Sequence, residues 1–123
     1  MANQSKKTVV LGASSNPERY SNLAINKLRA NNHPVIAIGK KTARVADVEV
    51  QTDQPSANDV DTVTLYINAE HQKEYYDYIL SLKPKRIIFN PGAENPELEQ
   101  LAKDHQIKPM EACTLVLLST GQF

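Results

Sequence analysis

A chain of 123 residues, 41% of them hydrophobic and 23% charged, suits one core, since folding at this length buries roughly two-thirds of the surface the unfolded chain exposes. Fourteen basic residues balance fourteen acidic ones, so the positive field behind non-specific nucleic-acid affinity is missing and nucleic acid is disfavoured as a partner. The single cysteine, Cys113, rules out an intramolecular disulfide and a multi-cysteine metal site.

The opening Met1 to Lys7 runs straight into a strand-like segment with no apolar h-region. No apolar stretch approaches the roughly 20 residues of a membrane span. The expectation is a single cytoplasmic domain over residues 1–123, with no membrane partner.

Thr8 to Leu11 is a β-branched run stopped by Gly12, the pattern of a buried strand ending in a tight turn. The polar loop Gly12, Ala13, Ser14, Ser15, Asn16, Pro17, Glu18, Arg19, Tyr20 follows. Ser21 is placed as the N-cap of a helix whose Ala24, Ile25 and Leu28 face the core. Val35 to Ile38 supplies a second strand ended by Gly39, completing a βαβ unit. Between Lys40 and Asp61, alternation at Val48 and Val50 predicts a short edge hairpin. Val63, Leu65 and Ile67 alternate with Thr62, Thr64 and Tyr66 as a strand, followed by Asn68 as a helix cap. Tyr75, Tyr78, Ile79 and Leu82 then give one core-facing helical stripe, ended by Pro84. Arg86 to Phe89 is a strand leading to Asn90, Pro91, Gly92 and Ala93. Asn95 as N-cap, Pro96 at the first helical position and Glu97 in the first turn open the next helix, which buries Leu98, Leu101 and Ala102. Ile107 to Met110 is a last strand, and Thr114 to Leu118 a last apolar turn or helix.

Strands alternating with helices imply an α/β, Rossmann-like, doubly wound parallel sheet in three layers, with the strand order 3-2-1-4-5. Ligands bind such sheets at the carboxyl ends of the strands, where the winding reverses. That order lines the crevice with the Gly12–Ser21 loop and the Asn90–Ala93 loop. Gly12 lets the backbone approach a ligand, Ser14, Ser15 and N–H groups at the helix start suit phosphate oxygens, and Arg19 suits a charged contact. Gly12 as a plain turn glycine and Arg19 as a solvated charge fit equally, because a full G-x-G-x-x-G is absent.

The second strand ends in Gly39-Lys40-Lys41, where an NAD site places an acidic residue for the ribose hydroxyl. Paired lysines suit a phosphorylated ribose, so coenzyme A or acyl-CoA fits, with NADP as the alternative, unless the pair is merely solvated. His33, His71 and His105 read as surface or capping histidines, and Asp59 and Asp61 as turn chemistry before a strand. No nucleophile elbow, Walker loop or zinc spacing is legible, so catalysis is not expected. Cys113 is either a small buried hydrophobe or a thiol at a helix start, able to form a mixed disulfide with the sulfur end of a ligand.

The segments V-V-L-G-A-S-S-N-P-E-R-Y-S near the start, I-F-N-P-G-A-E-N-P-E-L in the second half and E-A-C-T-L-V-L-L near the end, in this order and spacing, resemble the small stand-alone coenzyme-A-binding proteins. Their domain is related to the nucleotide-binding domain of the succinyl-CoA synthetase α subunit. The resemblance covers nearly the whole chain. It implies a Rossmann-like fold in which Gly12, Ala13, Ser14, Pro17 and Arg19 hold the adenosine diphosphate portion, with Gly39 and Lys40 beyond the second strand and Asn90 and Gly92 opposite. The wider candidate set adds Ser15, Asn16, Tyr20, Ser21, Lys41, Asn68, Pro91 and Cys113. The phosphohistidine domain and partner subunit of the synthetases have no counterpart here, so synthetase activity is not implied. Two other readings stand beside coenzyme A binding: an NADP-dependent enzyme or redox sensor, and an interaction protein using Tyr75, Tyr76 and Tyr78 as a contact face over a vestigial crevice.

Overall fold

The computed structural model describes residues 5–123; Met1 to Gln4, where the expected absence of a leader begins, lie outside them. Among the described residues seven strands form one sheet: β1 (Thr8–Ala13), β2 (Val35–Gly39), β3 (Ala43–Val45), β4 (Val48–Gln51), β5 (Thr62–Leu65), β6 (Arg86–Phe89) and β7 (Lys108–Glu111). Five helices accompany them: α1 (Tyr20–Ala30), α2 (Ala69–Gln72), α3 (Tyr76–Leu82), α4 (Pro96–Asp104) and α5 (Thr114–Ser119).

The β-branched runs are central strands because both their faces are covered. Val9, Leu11, Val63, Leu65 and Ile87 meet Ile79 and Leu82 of α3 and Leu98 and Ala102 of α4. Val10 and Ala37 point the other way, toward Ile25 and Leu28 of α1 and Leu118 of α5. The result is a Rossmann-like, three-layer α/β fold with a mostly parallel sheet, the antiparallel pair being β3 and β4.

The sheet order is β3-β4-β2-β1-β5-β6-β7, which corrects the order expected from sequence. The predicted hairpin exists, but its second strand also pairs in parallel with β2, through Ala37↔Val50 and Ile38↔Gln51. It thereby takes the third place, and the strand beside β1 on the other side is β5, not Arg86–Phe89. The Asn90 loop therefore stands one strand further out.

Three local expectations also change. α1 begins at Tyr20 with Arg19 in the capping position and no side-chain cap, so Ser21 is inside the helix. β5 stops at Leu65, because Tyr66 and Ile67 turn in against Gly12. The helix expected across Tyr75–Leu82 is broken upstream by a 3-10 turn at Lys73–Tyr75.

β7 is an edge strand carrying Pro109. Lys108 donates its N–H to Lys85 O at 3.1 Å and Ala112 donates to Phe89 O at 3.2 Å, so the residue between Lys108 and Met110 turns its nitrogen away from β6, where proline loses no bond.

α4 ends with Gln106 at φ 58°, its N–H on Lys103 O at 3.1 Å and the Ile107 N–H on Ala102 O at 2.8 Å. That is a Schellman closure, whose left-handed residue is best a glycine. Gln106→Gly should raise stability by about 0.5–1 kcal/mol, read as a higher urea midpoint at unchanged slope; a lower midpoint would show that the left-handed glutamine carries no strain.

Candidate functional site

At the carboxyl ends of the strands, the loop after β1 is organised by its own side chains. Ser14 Oγ accepts the Asn16 N–H at 3.1 Å, Asn16 Oδ1 accepts the Glu18 N–H at 2.9 Å, and Asn16 O accepts the Arg19 N–H at 3.0 Å. Asn22 of α1 donates its Nδ2 to Ser14 O at 3.0 Å, tying the loop to the helix it feeds. Ser15, Asn16, Pro17, Arg19 and Tyr20 are exposed, while Ala13 and Ser21 are buried and Gly12 and Ser14 half-buried. α1 starts here with no side-chain cap and no acidic residue in its first turn, so the positive end of its dipole faces the loop unneutralised from within the helix.

Gly39 brings the second loop alongside. Ala13 pairs with Gly39 across a bulge in β1, and a Cβ on Gly39 would stand 2.3 Å from Ala13 O, a separation no side chain tolerates. Lys40 and Lys41 leave from this contact and are exposed, so both cations emerge beside the Ser14–Tyr20 loop.

On its other flank the first loop meets residues 66–68. Gly12 has φ 94°, and a Cβ there would lie 2.9 Å from Ile67 Cγ2 and 3.0 Å from Tyr66 O. The missing side chain makes room for this neighbouring chain segment. Asn68 is exposed and caps α2, accepting the His71 N–H at 3.0 Å.

Asn90, in the next loop, is buried and its amide is fully engaged. Nδ2 donates to Thr64 Oγ1 at 2.7 Å and Leu65 O at 2.8 Å, and Oδ1 accepts the Thr114 N–H at 2.8 Å. It joins β5, β6 and α5. Pro91 and Gly92 are exposed. Cys113 is half-buried in the capping position of α5, and the next residue, Thr114, is buried with its hydroxyl 2.8 Å from that of Thr64.

Sequence reasoning missed Tyr66, read only as a strand residue. Its hydroxyl is buried without a hydrogen-bond partner, and burial pushes its pKa up to about 12, against the pull of nearby Thr114 and Thr64. It therefore stays a neutral phenol beside the Thr64–Thr114 pair. It also missed Gln72, fully buried, whose amide bridges Ile67 O at 2.8 Å and Ala93 O at 2.7 Å and accepts from Asn95 Nδ2 at 2.9 Å. A glutamine in a polar helix start carries no sequence signal of such a role.

Other expectations resolve structurally. His33 is buried and not on the surface; His71 is exposed, and His105 sits at the end of α4 with Nδ1 2.9 Å from Leu101 O. Asp61 accepts from Thr62 Oγ1 at 2.7 Å and stands 3.8 Å from Arg86. Tyr78 is buried and donates its hydroxyl to Pro55 O at 2.8 Å, whereas Tyr75 and Tyr76 are half-buried against the core, Tyr76 Oη donating to Glu97 and accepting from Asn95 Nδ2. Among the described residues no helix is long and apolar enough to cross a membrane, and no group of three potential ligand side chains could hold a metal.

Three solved structures are similar to this chain. A crystal structure of an uncharacterized protein is 48% identical, with a TM-score of 0.95 over 98% of this chain and 100% of that one. A Thermus thermophilus protein, cell-free ID.343, is 20% identical with a TM-score of 0.82, over 98% of this chain and 92% of its own. A hypothetical protein from Pyrococcus horikoshii OT3 is 21% identical with the same TM-score, over 95% and 84%. The latter two speak for the fold alone. No curated protein matches the chain. The family model described as CoA binding domain matches residues 6–119, which takes in the first loop, both lysines and the Asn90 and Cys113 segments, and the chain belongs to that family.

Proposed function

We propose that the protein binds coenzyme A or an acyl-CoA in the crevice at the carboxyl ends of β1, β2 and β5, without itself catalysing a reaction. The observation that carries the reading is the Ala13–Gly39 contact, which sets Lys40 and Lys41 beside a loop leading into an uncapped helix start. A diphosphate suits the helix dipole, the hydroxyls of Ser14 and Ser15 and the Arg19 guanidinium. A ribose phosphate suits the lysines. Pro91, Gly92 and Cys113 lie on the side toward β6 and β7, where the pantetheine arm and its sulfur would run.

The decisive experiment is calorimetric titration at fixed salt. Wild-type protein should bind coenzyme A, and Lys40→Glu should weaken binding about tenfold, the scale of one charge-assisted hydrogen bond. Dephospho-coenzyme A should show the same loss on the wild type and little further loss on Lys40→Glu. Absence of coenzyme A binding overturns the reading. NADP rests on the same two cations, and preferential binding of NADPH would move the assignment to that ligand.

A further inference from the structure

At the opposite end of the sheet, under the amino ends of the strands, the segment after α5 folds back against the start of β1. The Phe123 ring packs with its centroid 4.4 Å from the Arg86 guanidinium carbon, 5.7 Å from Lys6 Nζ and 5.0 Å from the centroid of the His33 ring. Lys6 Nζ also donates to the Phe123 carbonyl oxygen. The buried His33 ring accepts the Lys6 main-chain N–H on Nδ1 at 2.9 Å, and Arg29 of α1 donates Nη1 to the His33 carbonyl at 2.8 Å. None of these groups belongs to the crevice.

A main-chain N–H only donates, so Nδ1 must be bare and the neutral ring carries its hydrogen on Nε2. We propose that His33, Lys6, Arg86 and Phe123 form an acid-released strap: with His33 neutral, residues 120–123 are fastened beneath the sheet, and protonation of the ring unfastens them and loosens α5. The second proton has only Nδ1 to go to. Its arrival breaks the bond to Lys6 and places a third cation beside Lys6 and Arg86. Asp61 faces the ring as an anion and pulls the other way, but it already stands 3.8 Å from Arg86 and 3.9 Å from Lys85. Burial and the two neighbouring cations accordingly hold the imidazole below its ordinary value. The released form binds the proton more readily, so its population grows as pH falls through the ordinary imidazole range near 6.5.

The strap reaches α5 through short links. Gln122 N–H binds Leu117 O at 2.8 Å, Thr120 Oγ1 binds Val116 O at 2.8 Å, and Leu118 is buried against the α1 side of the sheet. Freeing Phe123 therefore removes the anchor from one end of a six-residue helix too short to persist alone.

The test is amide hydrogen exchange by NMR, corrected for intrinsic rates, at about pH 7.5 and about pH 5.5. In the wild type, protection of the Gln122 and Thr114 amides should fall about fivefold on acidification, the scale of one lost hydrogen bond, while Val10 and Val63 hold theirs. His33→Gln keeps an acceptor for Lys6 without a titrating ring and should show no such fall. Phe123→Ala should be poorly protected at both pH values. An equal pH response in wild type and His33→Gln, or unchanged Thr114 protection in Phe123→Ala, overturns the strap. Should His33→Gln fold poorly, the His33 ring is titrated directly in Phe123→Ala. A rise toward the ordinary imidazole value supports the proposal, and an unmoved titration overturns it. The readouts need no ligand, so they stand or fall separately from coenzyme A binding.

Discussion

Gly39→Ala is expected to cost about 3 kcal/mol, or roughly 10 °C in Tm, the upper end of what overpacking does in a domain of this size. The added methyl would sit 2.3 Å from Ala13 O and 3.1 Å from Val50 Cγ1. The first of these is main chain in a central strand, so it cannot swing aside as a side-chain tip would. Relief requires β1 and β2 to part at the point where both crevice loops leave the sheet. Thermal melting followed by circular dichroism reads the stability. Coenzyme A titration below the transition should show affinity falling even where the variant is folded. A melting temperature within about 2 °C of wild type would mean the strands separate easily there and that the contact does not fix the lysines.

Gln72→Leu is expected to cost a similar amount, about 3 kcal/mol, although it conserves volume and adds apolar contact. Leucine would leave Ile67 O and Ala93 O without the donor that now satisfies them at 2.8 and 2.7 Å. A buried orphan acceptor costs about 1–3 kcal/mol each. Asn95 suffers less, because its Nδ2 also donates to Tyr76 Oη at 2.8 Å. Gln72→Glu separates donor loss from volume change. Its carboxylate would face two carbonyl oxygens, so the proton would be held more tightly in the folded state than in the unfolded one. The variant should therefore be more stable at about pH 5 than at about pH 7, with the advantage lost as pH rises through the raised folded value. Urea denaturation at the two pH values measures both variants. A stable Gln72→Leu protein would show that the loops after β5 and β6 are held together by something other than this amide.

The parts of the fold that were legible in the sequence are those with a one-dimensional signature. Thr8–Leu11, Val35–Ile38 and Arg86–Phe89 are short apolar runs, and each became an interior strand of the sheet. Asn95 followed by Pro96 gave the start of α4, and in the structure Asn95 Oδ1 accepts the Leu98 N–H at 3.2 Å. Strand order was harder, because it depends on whether Val48–Gln51 is an appendage or a member of the parallel sheet. Its pattern is the same in both cases. Only the pairing of Val50 with Ala37 decides, and that contact is between segments with no local signal for each other. The same limit hid Gln72 and Tyr66. A polar side chain swallowed by the fold looks, in one dimension, like one left in water. Ser21 failed for a different reason: a serine before an apolar stripe signals a cap, but the turn closed by Asn16 O and the Arg19 N–H at 3.0 Å brings the chain into helical geometry at Tyr20, before the serine is reached.

Pro109 bears on how these molecules meet one another at high concentration. A visiting extended peptide that tried to lengthen the sheet along its outer border at Lys108–Glu111 would look for evenly spaced amide hydrogens. It would find the one at Glu111 and, at the imino acid, a bare ring. The opposite border, Ala43–Val45, is three residues long. Both rims of the sheet are thus poor templates for a neighbour's main chain, and crowding should raise the viscosity of its solutions before it seeds fibres.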